Sequence, residues 1–366
     1  MKKIIPLLGV ILLFMNCTET EKPLTTTLFV GTYTDGASEG IYRYVFDAST
    51  GELSKKIKVA ELENPSFVRL SPDNTYLYAV QETDTYDSLG GAVSAFKIEK
   101  DSLRILNTQG SGGAHPCHVS ISKDGKQLAV SNYSGGNLAV FPLKNDGSLQ
   151  AYKQLIDHKI LDSTKTSHVH FAQFTGDGLL VADLGLDAVM RYSASDTGFV
   201  PATQAALAFP EASGPRHFSL GQGGKFLYVI SELNSTITVF KKNGEALYEP
   251  IMTHSTLAAD FKGASFCADI HLSADGKFLY GSNRGENTIV VFAVHPETGD
   301  LALVERTAVQ GDWPRNFNLD PTEKFLLVAN QKSNNITVFS RDTEKGTLTF
   351  LNETALPSPV CLEFMK

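Results

Sequence analysis

The sequence predicts an all-β protein: a seven-bladed β-propeller with four-stranded blades, its ring closed by the C-terminal strand. Three observations carry this. A strand of the form Leu-x-Val, or a close variant, recurs with its third residue at 30, 79, 130, 181, 229, 281 and 328, giving intervals of 49, 51, 51, 48, 52 and 47. Apolar residues alternate with the two-residue period of strands, and no segment carries the helical period. The first copy has no strand ahead of it, while residues 357–364 at the chain's end read as that missing strand. Repeats of about 50 residues, each built from four short strands, are propeller blades.

In chain order, Lys2 and Lys3 precede the apolar run 4–15, which is too short to anchor across a bilayer and is followed by Cys17. This is the pattern of a secretory signal, and a cysteine at its end resembles a bacterial lipoprotein signal. Residues 1–17 are expected to be a signal peptide ending at a lipidated Cys17, 18–27 a polar tether, and 28–366 the propeller. The implied location is the periplasm or outer membrane of a bacterium. The departure is Phe14-Met15-Asn16, where a small residue usually precedes the cysteine.

Within each blade, a turn such as Ser71-Pro72-Asp73-Asn74, Asp124-Gly125 or Asp275-Gly276 leads into the Leu-x-Val strand. An alternating strand follows, ending in Tyr44, Phe96, Phe141, Tyr192, Phe240, Phe292 or Phe339. A Gly-x-Leu element, as in Gly51-Glu52-Leu53 and Gly299-Asp300-Leu301, opens the fourth strand. The segment 214–240 shows the pattern most clearly. A hairpin centred on Gly224 sets Arg216 opposite Glu232, and directly opposed strand residues have Cβ atoms about 4.5–5.5 Å apart.

Composition narrows the function classes. A content of 42% hydrophobic and 20% charged residues, with 30 Gly and 15 Pro, suits a globular protein rich in turns. The net charge of −8 argues against a nucleic-acid partner, which calls for a basic stripe. Cys117, Cys267 and Cys361 are an odd, dispersed set, expected to be small buried hydrophobes and not a disulfide framework.

Chemistry is expected where blades converge. The position three after each reference residue reads Tyr33, Glu82, Tyr133, Leu184, Glu232, Arg284 and Gln331. Its cross-strand partner reads Ser66, Cys117, His170, Arg216, Ala268 and Arg315 in blades two to seven. Core columns repeat Leu, Val and Phe, whereas these two vary, as a ligand pocket on a rigid scaffold does. His170, Arg216, Glu232, Arg284, Arg315 and Gln331 therefore form the candidate site at one channel end, and strand alternation places His168 on the face of His170. Glu82 and Tyr133 read as solvated mouth residues. His118, His217, Asp269, Asn316 and Asn318 are expected to point into the blade or toward its neighbour, the histidines as hydrogen-bonded core residues. His168-x-His170 is a weak metal motif without a carboxylate at ligand spacing, so no metal and no cofactor is expected.

Gly214-Pro215-Arg216-His217, Ser231-Glu232-Leu233-Asn234-Ser235, Ala268-Asp269-Ile270-His271 with Ser282-Asn283-Arg284, and Pro314-Arg315-Asn316-Phe317 together resemble the seven-bladed propeller lactonases. That family includes bacterial propeller-type 6-phosphogluconolactonases and fungal carboxymuconate-lactonising enzymes. The resemblance runs from Leu28 to the end. It implies a catalytic set of His170, Arg216, Glu232 and Arg284; the columns add His168, Arg315 and Gln331 beside it as expected substrate-binding residues. The implied activity is hydrolysis of a sugar lactone, 6-phosphogluconolactone to 6-phosphogluconate or that of a related aldonolactone; the protein is expected to be a monomer that meets a membrane only through its lipid anchor. The exported N-terminus is a departure, because 6-phosphogluconolactone is a cytosolic metabolite. Glu232 or His170 would serve as base, and a guanidinium beside Glu232 lowers its basicity, which favours His170. The two arginines, as channel-mouth residues, are expected to matter little for stability. The alternative is a non-catalytic exported propeller that binds a carbohydrate or protein on its rim. A quinone-dependent dehydrogenase lacks its calcium carboxylates and tryptophan motifs here.

Overall fold

Residues 25–365 are described by a computed structural model; the expected signal segment and Cys17 lie outside them. Seven antiparallel sheets of four strands each make up these residues. The blade around the 214–240 hairpin consists of strands Pro215–Gly221, Phe226–Ser231, Thr236–Lys242 and Tyr248–Ser255, paired in chain order. The expected turn is there, as a short 3₁₀ turn at Gln222–Gly224.

Closure follows the sequence pattern. The last strand, Pro359–Phe364, pairs with Thr25–Thr32 as the innermost strand of the first blade, in the register Leu28↔Phe364 to Thr32↔Pro359. Among the described residues, the strand it pairs with already runs from Thr25. Each innermost strand touches the innermost strand of the next blade, and Pro359–Phe364 touches both Pro314–Leu319 and Val68–Leu70, so the ring is continuous. A closed ring leaves no long unpaired inner edge to template aggregation.

The core lies between neighbouring blades. One apolar cluster joins Phe226, Tyr228 and Ile230 of the fifth blade to Leu279, Val290 and Phe292 of the sixth. The Gly-x-Leu elements have a packing reason. Gly299 adopts φ +76, and a Cβ there would lie 2.4 Å from the Phe226 ring of the preceding blade. Gly51 repeats this against Phe325 with the same φ. Only glycine combines a left-handed backbone with so close an aromatic neighbour. Cys117, Cys267 and Cys361 are buried free thiols.

Candidate active site

The innermost strands do not alternate strictly. In the fifth blade Pro215 pairs with Ser231 and His217 with Ile230, so Arg216 is an extra, unpaired residue. The expected register, with Arg216 opposite Glu232, is therefore corrected by one position; the Gly214 carbonyl instead accepts the Glu232 N–H at 2.7 Å. His170 is displaced from its expected partner Leu184 in the same way, by the shift between Val169 and Phe171. Equivalent shifts occur at Pro116/His118, Cys267/Ile270 and Pro314/Asn316. A bulge sends two successive side chains to one face. His118, Asp269, Asn316 and Asn318 reach toward the neighbouring blades, as expected: His118 Nδ1 accepts from the Ala172 N–H at 3.4 Å and Asn318 Nδ2 donates to the Leu362 carbonyl at 2.9 Å, and all four line a channel cavity of about 400 Å³. That cavity belongs to the end away from the arginines, where Arg69, His271 and Glu363 sit two or three residues farther along their strands.

At the start of the strands the arginines converge. Glu232 Oε2 lies 2.9 Å from Arg216 Nε and 2.8 Å from Arg284 Nη2, so one carboxylate oxygen bridges two guanidiniums. The Arg216 contact is an ion pair set off the line of a hydrogen bond. Arg284 donates through Nε to the Phe266 carbonyl at 3.2 Å and through Nη2 to the Cys267 carbonyl at 3.0 Å. Arg216 Nη1 donates to the Ala268 carbonyl and faces His217 Nε2 at 3.3 Å. Among the described residues, Arg216 Nη2 and Arg284 Nη1 have no hydrogen-bond partner. Arg216 is only 2% exposed, which stands against the expectation that this channel-mouth arginine matters little for stability.

Burial works against every charge here. It raises the Glu232 pKa, but the attraction of Arg284, then Arg216 and Arg315, outweighs it and leaves the carboxyl below its ordinary value. Arg284 is pushed down to about 10 by desolvation, with Glu232 opposing. His170, 4% exposed, is held well below the usual imidazole range by burial and then by Arg216, so it is neutral at neutral pH. Its Nδ1 is buried without a partner, and so is Gln331 Oε1. Such orphans are rare in folded proteins and point to a site whose hydrogen bonds are completed by something else. Burial, then Glu82, pushes the Cys117 thiol up, which excludes it as a thiolate nucleophile.

The remaining expected residues flank this cluster. Arg315 approaches Glu82 at 3.9 Å and lies over the Tyr33 ring, 5.2 Å from its centroid. Glu82 Oε2 also accepts from Tyr33 Oη at 2.8 Å and from Ser66. Glu82 is thus part of a bonded array and not a merely solvated residue; its place in the column signalled this, since the other members converge too. Tyr133 stacks on His168 at 4.3 Å with its edge toward His170 at 5.8 Å, and the backbone carbonyl of Tyr133 lies 3.2 Å from His168 Nδ1. His168 therefore sits beside His170 but bonds to neither arginine nor Glu232. Trp313 was not anticipated. Its ring lies 5.2 Å from the Arg284 guanidinium carbon, and its backbone adopts φ +67, which is uncommon for a bulky residue.

The family model described as "Lactonase, 7-bladed beta-propeller" matches residues 27–364. A Bacillus subtilis protein described as a 6-phosphogluconolactonase is 37% identical over 303 residues, covering 81% of this chain and 85% of its own length. A Formosa agariphila protein with the same description is 36% identical over 310 residues, covering 81% and 86%. The solved structure of a Pseudomonas aeruginosa periplasmic gluconolactonase superposes with a TM-score of 0.87 at 34% identity, covering 93% of this chain and 99% of its own.

Proposed function

This chain belongs to the seven-bladed β-propeller lactonase family, and on that premise we propose that the arginine end of its channel hydrolyses a sugar lactone. The observation that carries the proposal is the Glu232 bridge, 2.9 Å to Arg216 and 2.8 Å to Arg284. It fixes two guanidiniums side by side while leaving one nitrogen of each for a ligand. The relatives named as 6-phosphogluconolactonases and the gluconolactonase neighbour support an aldonolactone as the substrate class.

A lactone is a cyclic ester, so water adds to its carbonyl carbon and the ring C–O bond breaks. Negative charge gathers on the carbonyl oxygen, where Arg216 Nη2 and Arg284 Nη1 are free to donate. Donors fixed beforehand in a desolvated site are worth far more than donors in water. His170 accepts the water's proton through a lone pair that no protein group occupies, and the resulting imidazolium returns it to the ring oxygen as that leaves. Glu232 is the poorer base, because its Oε2 is committed to two cations. Three guanidiniums, Arg216, Arg284 and Arg315, against the carboxylates Glu82 and Glu232 suit a ligand that bears or develops negative charge. The product acid ionises at neutral pH, so each turnover releases one proton.

The test is a pH-stat assay of purified protein against free and phosphorylated aldonolactones. Arg216→Met and Arg284→Met, which keep side-chain volume, should lower kcat by about 10²–10³-fold each, and His170→Ala should lower kcat while leaving the ion pairs intact. Full activity in all three variants would overturn the assignment. The rim-binding alternative implies an unremarkable channel, which the ion-paired cluster does not favour. We also infer export, supported by the residue 1–17 pattern and the periplasmic neighbour, with Cys17 as the lipidated residue. In that compartment the free lactone is the favoured substrate. Palmitate labelling lost in Cys17→Ser checks the anchor.

A further inference from the structure

Arg216 is held from behind as well as from Glu232. Its Nη1 faces His217 Nε2 at 3.3 Å, and His217 Nδ1 lies 2.8 Å from Asp269 Oδ1 on the next blade. A carboxylate only accepts, so the His217 proton must sit on Nδ1. Burial, then Arg216, pushes His217 down to about 4, so the imidazole is neutral and its Nε2 presents a lone pair to the guanidinium. Asp269, 4% exposed, is itself locked: Asn316 Nδ2 and His271 Nε2, at 3.1 Å, meet its Oδ2, and the Ile270 N–H meets its Oδ1 at 2.9 Å. With Nη1 taken by His217 and the Ala268 carbonyl, and Nε against Glu232, only Nη2 is left to point at a ligand.

We propose that His217 and Asp269 are positioning residues: through a fixed imidazole tautomer, Asp269 sets the rotation of the Arg216 guanidinium and so aims its free Nη2 at the lactone oxyanion. The proposal rests on the reading of Arg216 as an oxyanion donor. Without the Asp269 carboxylate the imidazole is free to carry its proton on Nε2, and two donors would then oppose each other. The guanidinium would turn away, and misplacement of a reacting group by about 1 Å can cost on the order of 10²-fold in rate.

The experiment is a double-mutant cycle on lactone hydrolysis. His217→Phe should lower kcat by roughly 10²-fold with little change in KM. His217→Gln, whose amide offers a donor and an acceptor, should recover much of the loss. In an Arg216→Met background, His217→Phe should cost nothing further. An equal loss in both backgrounds, or a wild-type kcat in His217→Phe, overturns the proposal. If His217→Phe fails to fold, nitrogen-15 NMR of the wild-type protein still decides: a proton on His217 Nδ1 supports the proposal, and one on Nε2 sinks it. Should Arg216→Met alone keep full activity, the reading of the site has failed; should it be inactive while His217→Phe is not, only this inference has.

Discussion

Arg216, Glu232 and Arg284 form an ion triad whose charges are costly to bury and costlier to unbalance. Removing one member of a buried pair commonly costs about 3–5 kcal/mol, because its partner keeps an uncompensated charge. Glu232→Gln leaves two guanidiniums with no carboxylate between them, so it should depress the unfolding midpoint as well as kcat. A variant with an unchanged midpoint would show that solvent screens the triad. The same environment sets the pH profile. His170 and Glu232 both titrate below their ordinary values, so the active form persists below pH 6.5 and the acid limb of kcat/KM should lie on the acid side of that value. On the alkaline side, desolvation weakens the hold of Arg284 on its proton, so activity should fall at high pH. A blank-corrected pH-stat series checks both limbs, and an acid midpoint at or above 6.5 would remove His170 as base.

At the scale of elements, the blade-to-blade joints and the closing strand do most to hold the site in shape. Gly299→Ala puts a methyl group into the Phe226 ring and strains a φ of +76. Overpacking typically costs about 1–3 kcal/mol, so a lower midpoint with retained kcat is expected by calorimetry and assay. Deleting residues 357–366 removes the innermost strand of the first blade and exposes the Thr25–Thr32 edge. That protein should be insoluble on expression, and a soluble monomeric product would mean the ring tolerates an open blade. Bulges are the other decisive element. Proline precedes the column residue at 65, 116, 215, 314 and 359, and proline within sheets is confined to edges, strand starts and bulges. That repeated proline was a legible sign that strict alternation would break beside His217; the sixth blade, which carries Asp269, has Cys267 at that place and gives no such sign.

Across the whole molecule, the channel concentrates buried histidines. His118, His170 and His217 all have pKa values lowered chiefly by desolvation. For each, the folded value lies below the unfolded one, so its contribution is complete above pH 6.5 and is lost as pH falls from there. The unfolded chain then binds up to three protons that the folded chain does not, a slope of about 4 kcal/mol per pH unit at its steepest. Denaturant titrations at pH 7 and pH 5 should show this as a marked drop in stability, and equal values would mean that the channel admits protons without unfolding.

The number of blades, the closing strand and the identity of the charged residues at one channel end were all determined by the sequence alone. Period-two alternation and a repeat of about 50 residues are local signals, and they survive any tertiary arrangement. The pairing register, the burial of Arg216, the tie of Glu82 to Tyr33 and Ser66, and the link from Asp269 through His217 to Arg216 were decided only by the tertiary structure. The ties of Glu82 to Tyr33 and of Asp269 to His217 each join side chains from neighbouring blades. Those residues lie as far apart as the 49 positions between Tyr33 and Glu82 or the 52 between His217 and Asp269. Only closure of the ring gives such pairs a shared desolvated space in which a guanidinium, an imidazole and two carboxylates set one another's charge and direction.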